Sequence, residues 1–351
     1  MTSDKTNKKH WLGNAIKFIL PLGLSFIFLY IAFYDENLSK ILTIISNASI
    51  FWIVILIVVM LFSHYLRALR WKVILHSVKP DASIINIFGA VMVGYGVSCV
   101  VPRLGEVSRA VVLGKWEKLS RSSMFGTVIL ERIIDIVFLG LTVIVSVIIW
   151  SEDLYIKFPW LKSTLYLSII LMAGIILFMY FLVRFREKFY GLIIKILGKF
   201  SEKIANKAAY IFDMVTRGFA SLKGTKNYIY TFILSALIMI VYALSAYIGF
   251  YTLGMENVKP VTYGMAWVLM SLSAFGVVIP TPGGIGSYEA ISKAALVLLF
   301  GFGESISLAY AILTHVISYF LFIFTALLFF FALNKHHDNL IKVVETKLED
   351  L

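Results

Sequence analysis

The stretch Pro280-Thr281-Pro282-Gly283-Gly284-Ile285-Gly286-Ser287-Tyr288-Glu289 lies between two apolar blocks, 261–280 and 283–300, and its reading decides the fold. Proline removes a helical donor and glycine permits a tight reversal, so one helix must stop here and another begin. Irregular backbone is tolerated in lipid only where protein buries it or a wet cavity receives it. The stretch therefore predicts a hairpin of two half-helices that enters and leaves the membrane on one side. Glu289 falls near the start of the second half-helix, where negative charge suits the helix dipole. A plain helix cap would explain Glu289 alone, but not Pro-x-Pro-Gly-Gly-x-Gly.

The rest of the chain supports a membrane setting. Of its 351 residues 60% are hydrophobic and 15% charged, against about 25% charged in an ordinary soluble domain. Further apolar blocks run at 49–66, 83–101, 104–114, 123–150, 163–183, 227–253 and 305–333, most of them long enough to cross a bilayer. An apolar stretch from Trp11 to Tyr34 follows Lys5, Lys8 and Lys9; its length and the lack of a small-x-small site before Asp35 favour a retained span over a signal peptide. The fold class expected is all-α, a polytopic integral membrane bundle. A single Cys99 excludes a disulfide framework, and the six histidines show no ligand spacing, so no metal and no cofactor are expected. No Walker loop, no G-x-S-x-G elbow and no soluble catalytic domain is present.

A second interruption, Val101-Pro102-Arg103, separates 83–101 from 104–114. If 83–114 and 261–300 are both re-entrant hairpins, six crossings remain, and 23 of the 32 basic residues fall on one side. Lys40, Lys157, Lys162 and Lys259 fall on the other side with six acids, Asp35, Glu36, Glu152, Asp153, Glu256 and Glu304. The positive-inside rule then places both termini in the cytoplasm. The order span, hairpin, span over 49–150 recurs over 227–333 with directions reversed. Such an inverted repeat with interrupted helices at matching places is the pattern of many secondary transporters. The competing account is coincidence, since residue identity between the halves is poor.

The expected organisation is thus a cytoplasmic terminus 1–11, one membrane domain 12–333 and a cytoplasmic tail 334–351. Between the repeat halves, 184–226 carries ten basic residues. Phe189, Leu192, Ile193, Ile196, Leu197, Phe200 and Ile204 follow helical spacing opposite Lys188, Lys195, Lys199 and Lys203, which reads as an interfacial helix on anionic lipid rather than a nucleic-acid site.

Nine ionisable residues remain inside apolar blocks: Lys17, Arg103, Glu106, Arg109, Glu131, Arg132, Asp135, Glu289 and Lys293. Each costs roughly 2.5–3.5 kcal/mol at the centre of a span, so each needs a partner or a wet cavity. Lys17 can snorkel to an interface, and Lys293 reads the same way near the outer end of its half-helix. The other seven cluster in sequence. Glu106 and Arg109 share a helix face with Arg103 one turn earlier, beside backbone N–H groups freed by the break, an arrangement suited to an anion. Glu131 and Asp135 lie four apart, with Arg132 three residues from Asp135. A self-neutralising ion network that only fixes helix packing is the alternative. His64, Arg67, Arg70 and His315 could extend this polar interior, although Arg67 and Arg70 read equally well as interface anchors.

These motifs have a counterpart. Arg103-x-Gly105-Glu106-x-x-Arg109, Glu131-Arg132-x-x-Asp135 and Pro282-Gly283-Gly284-x-Gly286-x-x-Glu289, with Arg70-Trp71 upstream, resemble the flippase-like transmembrane region of lysylphosphatidylglycerol synthases and its stand-alone relatives. The resemblance extends from about residue 12 to 333. It implies a helical bundle with re-entrant helices that moves or handles lipids or lipid-linked molecules, with membrane lipids as partners. The bifunctional synthases add a soluble aminoacyl-transferase domain, for which the short tail 334–351 has no room, so no enzyme activity is expected.

The leading expectation is translocation of a lipid with an anionic or zwitterionic head group, without ATP hydrolysis. The site would comprise Arg103, Glu106, Arg109, Glu131, Arg132 and Asp135 with the break residues Pro282, Gly283, Gly284, Gly286 and Glu289. A membrane-embedded lipid-modifying transferase, with Glu131 or Asp135 as base, and a scaffold for an envelope-biosynthesis partner are the alternatives; a homo-oligomer is compatible with all three. The topology itself is testable in a Cys99→Ser background. A cysteine replacing Lys259 should react with an impermeant thiol reagent on intact cells, and one replacing Lys118 only after permeabilisation; the reverse pattern would invert the orientation.

Overall fold

The structure, a computed structural model, describes residues 20–76, 78–101, 104–150 and 224–334, together with parts of 166–212. It is helical, with no strand among the described residues. The helices described in full are α1 (Leu20–Phe33), α2 (Leu38–Ser46), α3 (Ile50–Leu75), α4 (Ile84–Val100), α5 (Leu104–Trp116), α6 (Arg121–Ile149), α7 (Arg186–Gly198), α8 (Thr225–Thr252), α9 (Tyr263–Val278), α10 (Ser287–Leu298) and α11 (Glu304–Asn334). Four of them, α3, α6, α8 and α11, are long and apolar enough to cross a membrane.

Polar caps set several starts. The side chains of Asn37, Ser120 and Thr262 accept the N–H groups of Lys40, Ser123 and Met265 at the heads of α2, α6 and α9. Helix α3 runs well past the apolar block 49–66, through Arg67, Arg70 and Trp71 to Leu75. It continues because those side chains turn into the protein, where Arg70 and Trp71 are fully buried.

The helices beside the two breaks are short. At 17 residues α4 is about 25 Å long and at 16 residues α9 about 24 Å, while α5 and α10, with 13 and 12, stay below about 20 Å. All fall short of a hydrocarbon core of about 30 Å. Each pair folds back on itself. The Glu117 carboxylate, at the end of α5, accepts the Ser83 N–H at 3.0 Å and the Asn86 amide at 2.7 Å at the start of α4. A side chain at Gly105 would collide with the Gly94 carbonyl and the Ser98 hydroxyl, so α5 rests directly on α4. In α9, a methyl at Gly276 would stand 2.8 Å from the Ser287 carbonyl oxygen and from the Tyr288 Cα. The hydroxyls of Ser273 and Ser292 meet at 2.7 Å in the same seam, and Ser287 donates to the Gly276 carbonyl at 2.6 Å.

The chain divides into two compact units. One comprises Met1–Met60, Gly94–Gly105 and Tyr242–Leu327, the other Leu61–Val93, Glu106–Val241 and Leu328–Leu351. The first contains the second break, a 3-10 turn Pro282–Gly284 followed by Gly286, and Gly283, Gly284 and Gly286 all have positive φ. The first break is bounded by Val100 and Leu104; Pro102 and Arg103 lie outside the described residues. So do Lys17, the tail from 335 on, and most of the expected span 163–183. Of the basic segment 184–226, the structure gives α7, with Tyr190, Leu192 and Ile196 exposed along it.

Close packing at Gly276 makes a direct prediction. Gly276→Ala should destabilise the folded protein by about 1–3 kcal/mol through overpacking of α9 on α10. Gly23→Ala in α1, where no atom lies within 4 Å, should change stability by less than about 0.5 kcal/mol. Thermal unfolding of the two variants in detergent checks the difference.

Candidate functional site

Three helices of the second unit direct charged side chains at one another. From α3 come Arg67 and Arg70, three residues and so one turn apart. From α5 come Glu106 and Arg109, and from α6 come Glu131, Arg132 and Asp135. Glu131 is completely buried and sits at the centre. Its Oε1 accepts from Arg67 Nη2 at 2.9 Å and from Arg70 Nη2 at 3.0 Å, while its Oε2 pairs with Arg109 Nη1 at 2.7 Å. Asp135, one turn on, completes the clamp with Oδ2 2.6 Å from Arg67 and Oδ1 2.5 Å from Arg70. Arg70 spends its remaining terminal nitrogen on the Ser235 hydroxyl of α8, at 3.0 Å.

The rim is looser. Arg132 stands 3.5 Å from Asp135 and 3.7 Å from Glu106, and its side chain is 38% exposed. The Arg109 guanidinium lies 4.9 Å from the centre of the Trp71 ring, which is itself fixed by an indole N–H donated to Thr127 Oγ1 at 3.0 Å. Such stacking suits the weakly hydrated, planar guanidinium. Among the described residues, the ion pairs of the cluster join four arginines to three carboxylates, a formal surplus of one positive charge. His64 is buried one turn before Arg67 on α3.

Arg67 and Arg70 thus have a different place from the interface anchors that the sequence equally allowed. Both are buried, and both are partners of Glu131 and Asp135. The signal for them was spacing: two arginines three apart, in register with the apolar face of a helix. Ser235 and Thr127 carried no signal at all, being ordinary hydroxyls in long apolar helices.

A second polar group surrounds the break in the first unit. Glu289 Oε2 accepts the Gly286 N–H at 2.7 Å, closing the start of α10, and its Oε1 meets His315 Nδ1 at 2.5 Å. The other ring nitrogen of His315 lies 3.0 Å from the Gly283 carbonyl oxygen. Tyr288 and Tyr319 flank the imidazole, with ring centres 4.7 and 5.1 Å away. Tyr319, one turn after His315 on α11, points its hydroxyl at two carbonyls, Pro282 at 2.9 Å and Cys99 at 3.0 Å. One phenol therefore bridges the backbone beside both breaks. A side chain at Gly283 would occupy the place of that phenol, which is why glycine is required there. Tyr319 was not foreseen from sequence, where it is one aromatic among many.

Lys293 is not a snorkelling residue. It is largely buried, with Nζ 2.7 Å from Glu36, 3.3 Å from Glu304 and 3.0 Å from the Ala32 carbonyl oxygen. Among the described residues no group of three or more His, Cys, Asp or Glu is placed to hold a metal ion.

Long apolar helices, short helices paired across Pro/Gly breaks and a buried cluster of arginines and carboxylates define the class: a polytopic helical membrane protein with ion networks in its interior. Residues 18–326 match the lysylphosphatidylglycerol synthase TM region, and the chain belongs to that family. It is 25% identical over 321 residues to a UPF0104 membrane protein of Methanocaldococcus jannaschii, an alignment covering 87% of this chain and 91% of the relative. A UPF0104 membrane protein of Methanothermobacter thermautotrophicus is 24% identical over 274 residues, covering 72% and 77%. No solved structure matches the chain significantly.

The cluster makes its own prediction. Glu131→Gln removes the charge that three buried arginines share, and breaking a buried pair costs about 3–5 kcal/mol. Arg132→Ala, at the half-exposed rim, should cost less than about 1 kcal/mol. Equal losses of thermal stability in the two variants would contradict the central position of Glu131.

Proposed function

We infer that this protein moves a phospholipid, or another lipid-linked molecule with an anionic or zwitterionic head group, across the membrane without hydrolysing ATP. The observation that carries this reading is the arginine cluster. Among the described residues, Arg67, Arg70 and Arg109 are buried around Glu131 and Asp135, and the ion pairs, with Arg132 and Glu106 included, join four arginines to three carboxylates. A phosphate group is the natural competitor for such arginines, because the guanidinium fork fits it with two parallel hydrogen bonds. Glu131 and Asp135 would hold the arginines when no head group is present and yield them when one arrives. The acyl tails would remain in lipid throughout.

The architecture proposed for this task has six crossings and two re-entrant hairpins, α4–α5 and α9–α10, in oppositely oriented repeats. The short helix lengths support it, as does the bond network that brings Ser83 and Glu117, the two ends of the first hairpin, together. Alternating exposure would come from one repeat rocking against the other. The proposed setting is a prokaryotic cytoplasmic membrane with both termini inside, and the basic segment 184–226 rests on anionic lipid. Membership of a family named for the membrane region of a lipid-modifying synthase supports a lipid substrate. The reading assigns transport to the chain and no chemical modification.

Reconstitution tests it. Liposomes containing the purified protein and fluorescent phospholipids, or a polyprenyl phosphate, should exchange label between leaflets faster than empty liposomes. Arg109→Lys keeps the charge but loses the fork, and should slow exchange about tenfold or more, the worth of one charged hydrogen bond. Absence of exchange above empty liposomes for every head group would overturn the reading. Exchange untouched by Arg109→Lys and Arg67→Lys would remove the arginine cluster from it.

A further inference from the structure

The contacts of His315 determine a proton. Its Nε2 faces the Gly283 carbonyl oxygen at 3.0 Å, and a carbonyl only accepts, so Nε2 carries a hydrogen. A neutral imidazole has no second hydrogen, which would leave a bare lone pair on Nδ1. That nitrogen lies 2.5 Å from Glu289 Oε1. An ionised carboxylate is acceptor-only, and two lone pairs do not share so short a contact. A proton must therefore lie between them, and the count is the same whether it is drawn as imidazolium and carboxylate or as imidazole and carboxylic acid.

We propose that the Glu289–His315 pair is a proton-binding site whose occupancy sets the shape of the α9–α10 break. The pair takes up one proton from water on binding and returns it on release. Losing it opposes the Nδ1 lone pair to the carboxylate, so one side chain must turn away. Both are tied to the break: Glu289 Oε2 holds the Gly286 N–H and His315 holds the Gly283 carbonyl. Gly283, Gly284 and Gly286 have positive φ, and glycine backbone at such angles is free to change conformation. The effect extends to the first break through Tyr319, which shares helix α11 with His315 and donates to the Pro282 and Cys99 carbonyls.

Among the described residues, the titratable groups facing the pair are Tyr288 from α10 and Tyr319 from α11, with Cys99 of α4 beside Tyr319. The α1 backbone, Ser25 to Leu29, abuts Gly286 and brings no charge. Lys293, one turn beyond Glu289, is engaged by Glu36 and Glu304. Among the described residues, the ion pairs of Glu289 and of His315 join only each other. On the transport reading given above, the proton is then the coupling ion: protonated and deprotonated pairs stabilise different shapes of the break, and a pH gradient drives lipid movement.

The site is tested without transport by nitrogen-15 histidine NMR of the full chain in lipid nanodiscs, with His315→Asn identifying the signal. The expected result is a His315 resonance with both ring nitrogens in proton-bearing hydrogen bonds, converting to a neutral imidazole as pH rises. Glu289→Gln offers an amide N–H to Nδ1, so its His315 should stay neutral across the same range. A wild-type His315 whose Nδ1 shares no proton-bearing hydrogen bond at any pH, or a Glu289→Gln protein that titrates like wild type, overturns the proposal. In proteoliposomes, an imposed pH gradient should change the wild-type exchange rate several-fold and leave that of Glu289→Gln unresponsive. Exchange indifferent to the gradient overturns the coupling. A titrating pair with no lipid exchange under any gradient removes the transport reading and leaves the proton site standing.

Discussion

Burying a carboxylate in a bilayer protein is costly unless it is multiply paired, and Glu131 meets that condition through guanidinium groups from two other helices. Everything in the second unit follows from this. Helix α3 must extend beyond its apolar stretch so that Arg67 and Arg70 reach Glu131. Helix α5 must start early enough to bring Arg109 to the other carboxylate oxygen. Trp71 and Thr127 then lock α3 against α6 by an indole hydrogen bond, and Ser235 draws in α8. Four helices are registered by one acid, whose neutralisation would leave arginines opposing one another at close range.

The two polar groups solve different problems. Around Glu131 the ion pairs among the described residues hold arginines from two helices against carboxylates, and charge is matched by charge. Around Glu289 the partners are backbone atoms of a glycine-rich turn and one imidazole, so the geometry of the turn and the position of a hydrogen depend on each other. Tyr319 belongs to the second group yet touches backbone beside both breaks, which gives the short helices a shared fastening.

Much of this was legible in sequence because lipid makes exceptions conspicuous. Arg109, Glu131 and Asp135 stand out inside apolar blocks, and a Pro/Gly run in such a block has few structural explanations. Arg67 and Arg70 were harder to weigh, since they follow the end of an apolar stretch and precede Lys72, where a flanking anchor looks the same as a buried partner. Lys293 was misread because Glu36, its partner, belongs to a loop far away in the chain. Tyr319 and Ser235 were invisible: their hydroxyls matter for what lies opposite them, and side-chain identity in one helix says nothing of that. The helix pairs were placed within a few residues, because proline and glycine act locally.

Helix α1 has a consequence of its own. Its backbone from Ser25 to Leu29 presses on Gly286 so closely that no side chain fits between them, and Lys293 clasps the Ala32 carbonyl a turn or two further on. Helix α1 is therefore a wall of the second break. A tag or fusion joined ahead of it is harmless only if α1 keeps its register; exchanging it for another apolar helix of equal hydrophobicity would leave the glycine turn without the backbone that covers it.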